Sequence, residues 1–84
     1  MIKKLRNKVD KIDSQILRLL QQRNKIAKQI GKYKKTNGSK VFDSKREKEV
    51  LRKVKEKSIK FKLNTNFTRE IFIKIMKEGK RLQR

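Results

Sequence analysis

Cysteine, histidine, proline and tryptophan are all missing from this chain, and each absence removes a class of structure or chemistry. Without cysteine there is neither a disulfide nor a thiolate metal site. Without histidine as well, a transition-metal centre has no ordinary ligand set, so no metal is expected. The lack of proline and the presence of only three glycines leave few helix breakers, and Leu, Ile, Lys and Arg as the main residue types favour an all-α chain. No apolar run is long enough to cross a bilayer, and Met1 to Leu5 passes into the amphipathic pattern without a signal-peptide core. The expectation is one domain over residues 1–84, cytoplasmic and without a membrane partner. A domain of this size buries only about 60 to 65 % of its unfolded surface when it folds alone.

What the chain has in excess is positive charge. Twenty-eight lysines and arginines against eight acidic residues give a formal charge of +20, which calls for an anionic partner: nucleic acid, a membrane surface or a small acidic ligand. On the first helix Lys4, Lys8, Lys11, Arg18, Lys25 and Lys32 follow a line of their own, away from the apolar one, and read as a solvated face.

The apolar line organises the chain. Alternate steps of four and three from Leu5 reach Val9, Ile12, Ile16, Leu19, Arg23, Ile26 and Ile30, a heptad seam with one charged member. Leu17, Leu20, Ala27 and Gly31 form a second line that widens this face, so the helix has more than one neighbour to pack against. A helix over about 3–35 would be roughly 50 Å long, against a diameter of about 30 Å for a compact chain of this length. Its own monomer cannot cover it. A two-fold homodimer is the default solution for such an overhang.

Asn37-Gly38 marks a turn within a loop over 36–42. A second helix over about 43–61 can be capped by Asp43 or by Ser44, the latter with Glu47 as a capping box. Its apolar side holds Val50, Leu51, Val54 and Phe61, with Glu47 and Ser58 among them. A third helix over about 65–83, capped by Asn64 or Thr65, presents Phe67, Ile71, Phe72, Ile75, Met76 and Leu82.

In such a chain the informative residues are polar ones on apolar faces, because burying an unpaired charge costs several kcal/mol. Arg23 lies in the seam, and Lys34 lies about 20° away around the helix and roughly 16 Å along it, with Ala27 and Gly31 between. These four describe a recess with positive ends, suited to a small molecule bearing two negative groups. The competing reading is that Arg23 reaches past the helix edge to water and Lys34 ends the helix. On the third helix Gln83 falls on the line of Phe72, Met76 and Gly79. Arg6, about 25 Å from Arg23 along the axis, is out of reach within one chain. In an antiparallel dimer with its axis near Leu17, Arg6 would meet the other chain's recess.

These stretches resemble the all-α class of chorismate mutases: Leu5-Arg6-Asn7-Lys8-Val9-Asp10-Lys11-Ile12-Asp13, Ile16 to Leu20, Arg23 to Ala27, Ile30 to Lys34, Val41 to Glu47, and Ile71 to Gln83. The likeness covers nearly the whole chain. It implies a three-helix protomer in an intertwined homodimer that converts chorismate to prephenate, on the way to phenylalanine and tyrosine, with no cofactor. By that resemblance Arg23 and Arg6, acting in trans, hold the two carboxylates, and Lys34 and Gln83 donate to the ether oxygen. Glu47 and the Asp43 backbone take the ring hydroxyl, and Arg46 supports them. Gly79 stands where the family usually has a serine that helps to hold a carboxylate. This departure leaves room for a sister activity, an isochorismate pyruvate lyase or a mutase of the amino analogue, although Glu47 suits a ring hydroxyl.

The rival from another class is a basic helical dimer that binds nucleic acid. Against it, aromatic residues are few and lie mostly on the apolar faces instead of alternating with basic ones, so no base-stacking platform is evident.

Overall fold

Helix α1 (Ile2–Asn37), helix α2 (Ser44–Lys60) and helix α3 (Thr65–Gln83) make up the regular structure of the computed structural model, which describes residues 1–38, 40 and 43–84. No strand occurs among the described residues, and no helix among them is long and apolar enough to cross a membrane. The architecture is all-α. Val41 and Phe42, two residues of the resemblance, lie outside the described residues, as does Ser39 of the turn region.

Local chemistry explains where each helix ends. Helix α1 runs two residues past the expected Lys35, because the side chains that suggested a turn bond back onto the helix. Thr36 Oγ1 donates to the Lys32 carbonyl at 3.0 Å and Asn37 Nδ2 to the Tyr33 carbonyl at 2.8 Å. Gly38 then stops the helix in the left-handed region, at φ 69°. At the start of α2, Asp43 is the cap: its carboxylate accepts the Arg46 N–H at 3.0 Å. Ser44 is therefore the first helical residue, and the Ser44–Glu47 capping box is not formed, which leaves the Glu47 side chain available to the interior. Asn64 caps α3 in the same way, accepting the Phe67 N–H at 3.0 Å. Between α2 and α3 the Leu63 N–H bonds to the Ser58 carbonyl at 2.8 Å and the Lys62 N–H to the Ile59 carbonyl at 3.1 Å. This is a Schellman closure with Lys62, at φ 59°, in the position that usually holds glycine.

Helix α3 is the centre of the protomer. It packs against both α1 and α2, which do not pack against each other. The α2–α3 contact is tied by a buried hydroxyl pair, Ser58 Oγ and Thr68 Oγ1 at 2.6 Å. The α1–α3 contact depends on a missing side chain: a Cβ on Gly31 would stand 2.7 Å from the Gln83 Cα and 2.8 Å from the Gln83 carbonyl oxygen. Ala27, Gly31, Met76 and Gly79 are the buried residues around this crossing.

The rest of α1 lacks a cover. Leu5, Val9, Ile12, Ile16 and Leu19 are each half or more exposed, and Leu17 reaches 67 %. The chain measures 55 × 24 × 15 Å with a radius of gyration of 15.7 Å, against about 12 Å for a compact chain of this length.

Two substitutions test this description in opposite directions. Gly31→Ala drives a methyl group into the α3 backbone and is expected to destabilise the fold by about 1 to 3 kcal/mol. Lys62→Gly relieves a left-handed lysine and is expected to stabilise it by about 0.5 to 1 kcal/mol. Urea unfolding midpoints measured at one protein concentration would register both shifts.

Candidate active site

The three helices enclose a cavity of about 400 Å³ where the C-terminal half of α1, the first turn of α2 and the last turns of α3 meet. That volume falls within the range of small-molecule sites. Helix α1 contributes Arg23, Ala27 and Lys34, and the start of α2 contributes Asp43, Arg46 and Glu47. Met76, Gly79, Lys80 and Gln83 come from α3, while Ile26, Ile30 and Val50 supply apolar wall.

Arg23 lines this cavity and is half-buried. A Cβ on Gly79 would stand 3.3 Å from Arg23 Nη1, so the guanidinium lies against the glycine. Burial, and after it the positive charge of Arg46, pulls the Arg23 guanidinium below its ordinary range. An anion placed here would relieve both penalties. Lys34 is half-buried on the same cavity. The recess drawn from the sequence needs one correction: Ala27 lines it, but Gly31 does not. Gly31 lies beneath the Gln83 backbone, where its lack of a side chain lets α1 and α3 approach.

The Gln83 Oε1 is buried without a hydrogen-bond partner, the one such side-chain atom among the described residues. Leaving an acceptor in that state costs about 1 to 3 kcal/mol. Such a cost points to an amide placed for a ligand, since stability gains nothing from it.

Asp43 and Arg46 occupy the exposed lip of the cavity, Asp43 as the α2 cap and Arg46 in an ion pair of 2.6 Å with Glu49. Glu47 turns inward and meets Lys80 Nζ at 3.4 and 3.5 Å through its two oxygens. Sequence reasoning did not single out Lys80. It is one of 28 basic residues, it lies off the apolar line, and only the tertiary contact with Glu47 distinguishes it. Arg6 is exposed and takes no part in lining the cavity, as its spacing of about 25 Å from Arg23 requires. Among the described residues no cluster of acidic side chains could hold a metal ion. Chemically the cavity offers cations, one carboxylate turned inward and one amide on an apolar wall. That set can hold a small dianion and stabilise charge developing within it.

The comparisons with known proteins point the same way. Residues 5–84 match the family model described as chorismate mutase type II. A chorismate mutase of Methanocaldococcus jannaschii is 32 % identical over 87 aligned positions, covering 100 % of this chain and 88 % of that protein. A bifunctional chorismate mutase/prephenate dehydratase of Aquifex aeolicus is 42 % identical over 53 positions, which are 63 % of this chain and 15 % of that longer protein. Among solved structures, a conserved hypothetical protein from Pyrococcus furiosus superposes with a TM-score of 0.79 at 44 % identity, covering 99 % of this chain and 95 % of that one. With a family match over nearly its whole length and the cavity's charged residues inside the matched region, the chain belongs to the chorismate mutase type II family.

Proposed function

We propose that this chain is a chorismate mutase of the cytoplasm, acting as a homodimer in which each site is completed by the other subunit. The observation that carries this reading is the convergence of Arg23, Lys34, Glu47 and Gln83, from three different helices, on one cavity of ligand size. The reaction is a unimolecular rearrangement: the ether bond of chorismate breaks as a carbon–carbon bond forms, and atoms and charge are conserved within the substrate. It therefore needs no nucleophile. What accelerates it is confinement of the substrate in its compact conformer, together with charge stabilisation at the breaking ether oxygen.

In this reading Arg23 binds one carboxylate and the partner subunit's Arg6 the other. Lys34 and Gln83 donate hydrogen bonds to the ether oxygen. Glu47 accepts the ring hydroxyl with help from the Asp43 backbone, and Arg46 adds positive potential at the lip. Gly79 leaves a space beside Arg23 where a hydroxyl would otherwise hold a carboxylate, a bond worth roughly 1.5 to 3 kcal/mol when one partner is charged. One feature supports the homodimer: the seam from Leu5 to Leu19 is apolar and bare in the single chain, and an antiparallel copy of α1 covering it would bring its own Arg6 toward the cavity.

Purified protein should consume chorismate and yield prephenate. Release of pyruvate from isochorismate would instead indicate the lyase, and tight RNA binding without turnover would indicate the nucleic-acid class. Arg6→Ala and Lys34→Ala proteins should each be nearly inactive alone. After subunit exchange, half of the dimers are mixed and each of these has one intact site, so the mixture should recover about a quarter of the parental activity. No recovery after demonstrated exchange would contradict action in trans.

A further inference from the structure

Lys80 is the charged residue of the cavity lining to which the mechanism above gives no role, and its placement is unlike that of the other cations paired with carboxylates. The Arg46–Glu49, Arg52–Glu56, Lys53–Glu49 and Arg81–Glu78 pairs join neighbouring turns of one helix, with side chains 45 to 67 % exposed. Lys80–Glu47 joins α3 to α2, with side chains 29 and 27 % exposed, and the ammonium faces both carboxylate oxygens at 3.4 to 3.5 Å. It thus stands beside the group that the proposed function assigns to the ring substituent of the substrate.

A carboxylate alone does not discriminate well between a hydroxyl and an ammonium at that substituent. Both donate to it, and the ammonium gains an ion pair as well. An ammonium already at the carboxylate reverses this preference, because it balances the charge of Glu47 and repels a second cation in a site only partly open to water. The outer groove on the far side of Lys80 adds to the same field. It is lined by Lys74, Lys77, Arg81 and Arg84, with Glu78 engaged by Arg81 at 2.6 and 2.9 Å.

We infer that Lys80 is a specificity-determining residue: paired with Glu47, it makes the site select a substrate with a neutral hydroxyl and reject the analogue that carries an ammonium at the same ring carbon. This inference rests on the reading of Glu47 as the partner of the ring substituent.

The test compares the parent with Lys80→Met, which keeps the length of the side chain and removes the charge, and with Lys80→Arg, which keeps the charge. kcat/KM is measured for chorismate and for its 4-amino analogue, and Kd for both ligands is measured alongside. The hydroxyl-over-amino preference should fall by about tenfold or more in Lys80→Met, the factor that about 1.4 kcal/mol of lost repulsion represents, and should persist in Lys80→Arg. A purely structural role would depress both substrates together and leave the ratio unchanged. Lys80→Gln gives a second neutral variant should the methionine protein fold poorly. A parent that turns over chorismate while the neutral variants keep its preference overturns the inference alone. A parent that neither binds nor converts chorismate overturns the mutase reading and, with it, this inference.

Discussion

An apolar stripe runs along most of α1, and the other helices pack only on its C-terminal half, where Ile26 and Ile30 of the stripe still stay exposed. This constraint governs the rest of the structure. Burying a fully exposed leucine, isoleucine or valine gains about 1.5 to 3 kcal/mol, so covering the exposed half of Leu5, Val9, Ile12, Ile16 and Leu19 would gain about 4 to 8 kcal/mol, a large share of a small domain's stability. A second copy is a natural source of that burial in a chain of 84 residues with no disulfide to assist it. The same end of α1 holds Arg6, so the contact that would stabilise the protein would also deliver a cation to the cavity. Stability and function then rest on one interface.

At the other end of α1 the packing is set by small residues. The close approach at Gly31 seats the α3 backbone directly on α1 and brings Gln83 to the cavity, while Gly79 gives Arg23 room to lie inward. The cost is electrostatic: Arg23 is partly desolvated with Arg46 nearby, and Gln83 has an acceptor with no partner. A bound dianion would relieve the Arg23 penalty, which strengthens its binding, while the Gln83 oxygen calls for a ligand hydroxyl or for the amide to turn its N–H toward the ligand. The overall charge of +20 acts at longer range, raising the local concentration of anions around the protein.

Much of this was legible in the residues. Periodicity alone marked the long first helix and its excess length, and Arg23 and Gln83 stood out because each interrupts an apolar line. Misreadings came where local signals compete. Thr36 and Asn37 look like turn residues but bond back to carbonyls four residues earlier and extend α1 to Asn37. At the start of α2 the sequence left Asp43 and Ser44 open as caps: Asp43 takes the cap, the Ser44–Glu47 capping box does not form, and Glu47 pairs with Lys80 instead. Gly31 read as floor of the recess, whereas its role is to admit a neighbouring backbone, which no single-helix pattern encodes. Lys80 carried no signal at all, since a lysine among 28 basic residues acquires meaning only from the carboxylate that the fold sets beside it.

The central claim is that two α1 helices pair antiparallel about a point near Leu17. Because the chain contains no cysteine, single cysteines introduced at Arg18 and at Lys32, both exposed, can each carry a unique spin label for interchain distance measurement by pulsed dipolar spectroscopy. Antiparallel pairing predicts a short distance for labels at position 18 and about 45 Å at position 32, which is fifteen residues from the axis in each chain at 1.5 Å per residue. Similar short distances at both positions would mean parallel helices, and no dipolar coupling at either would mean a monomer. Both results would contradict a site shared between subunits.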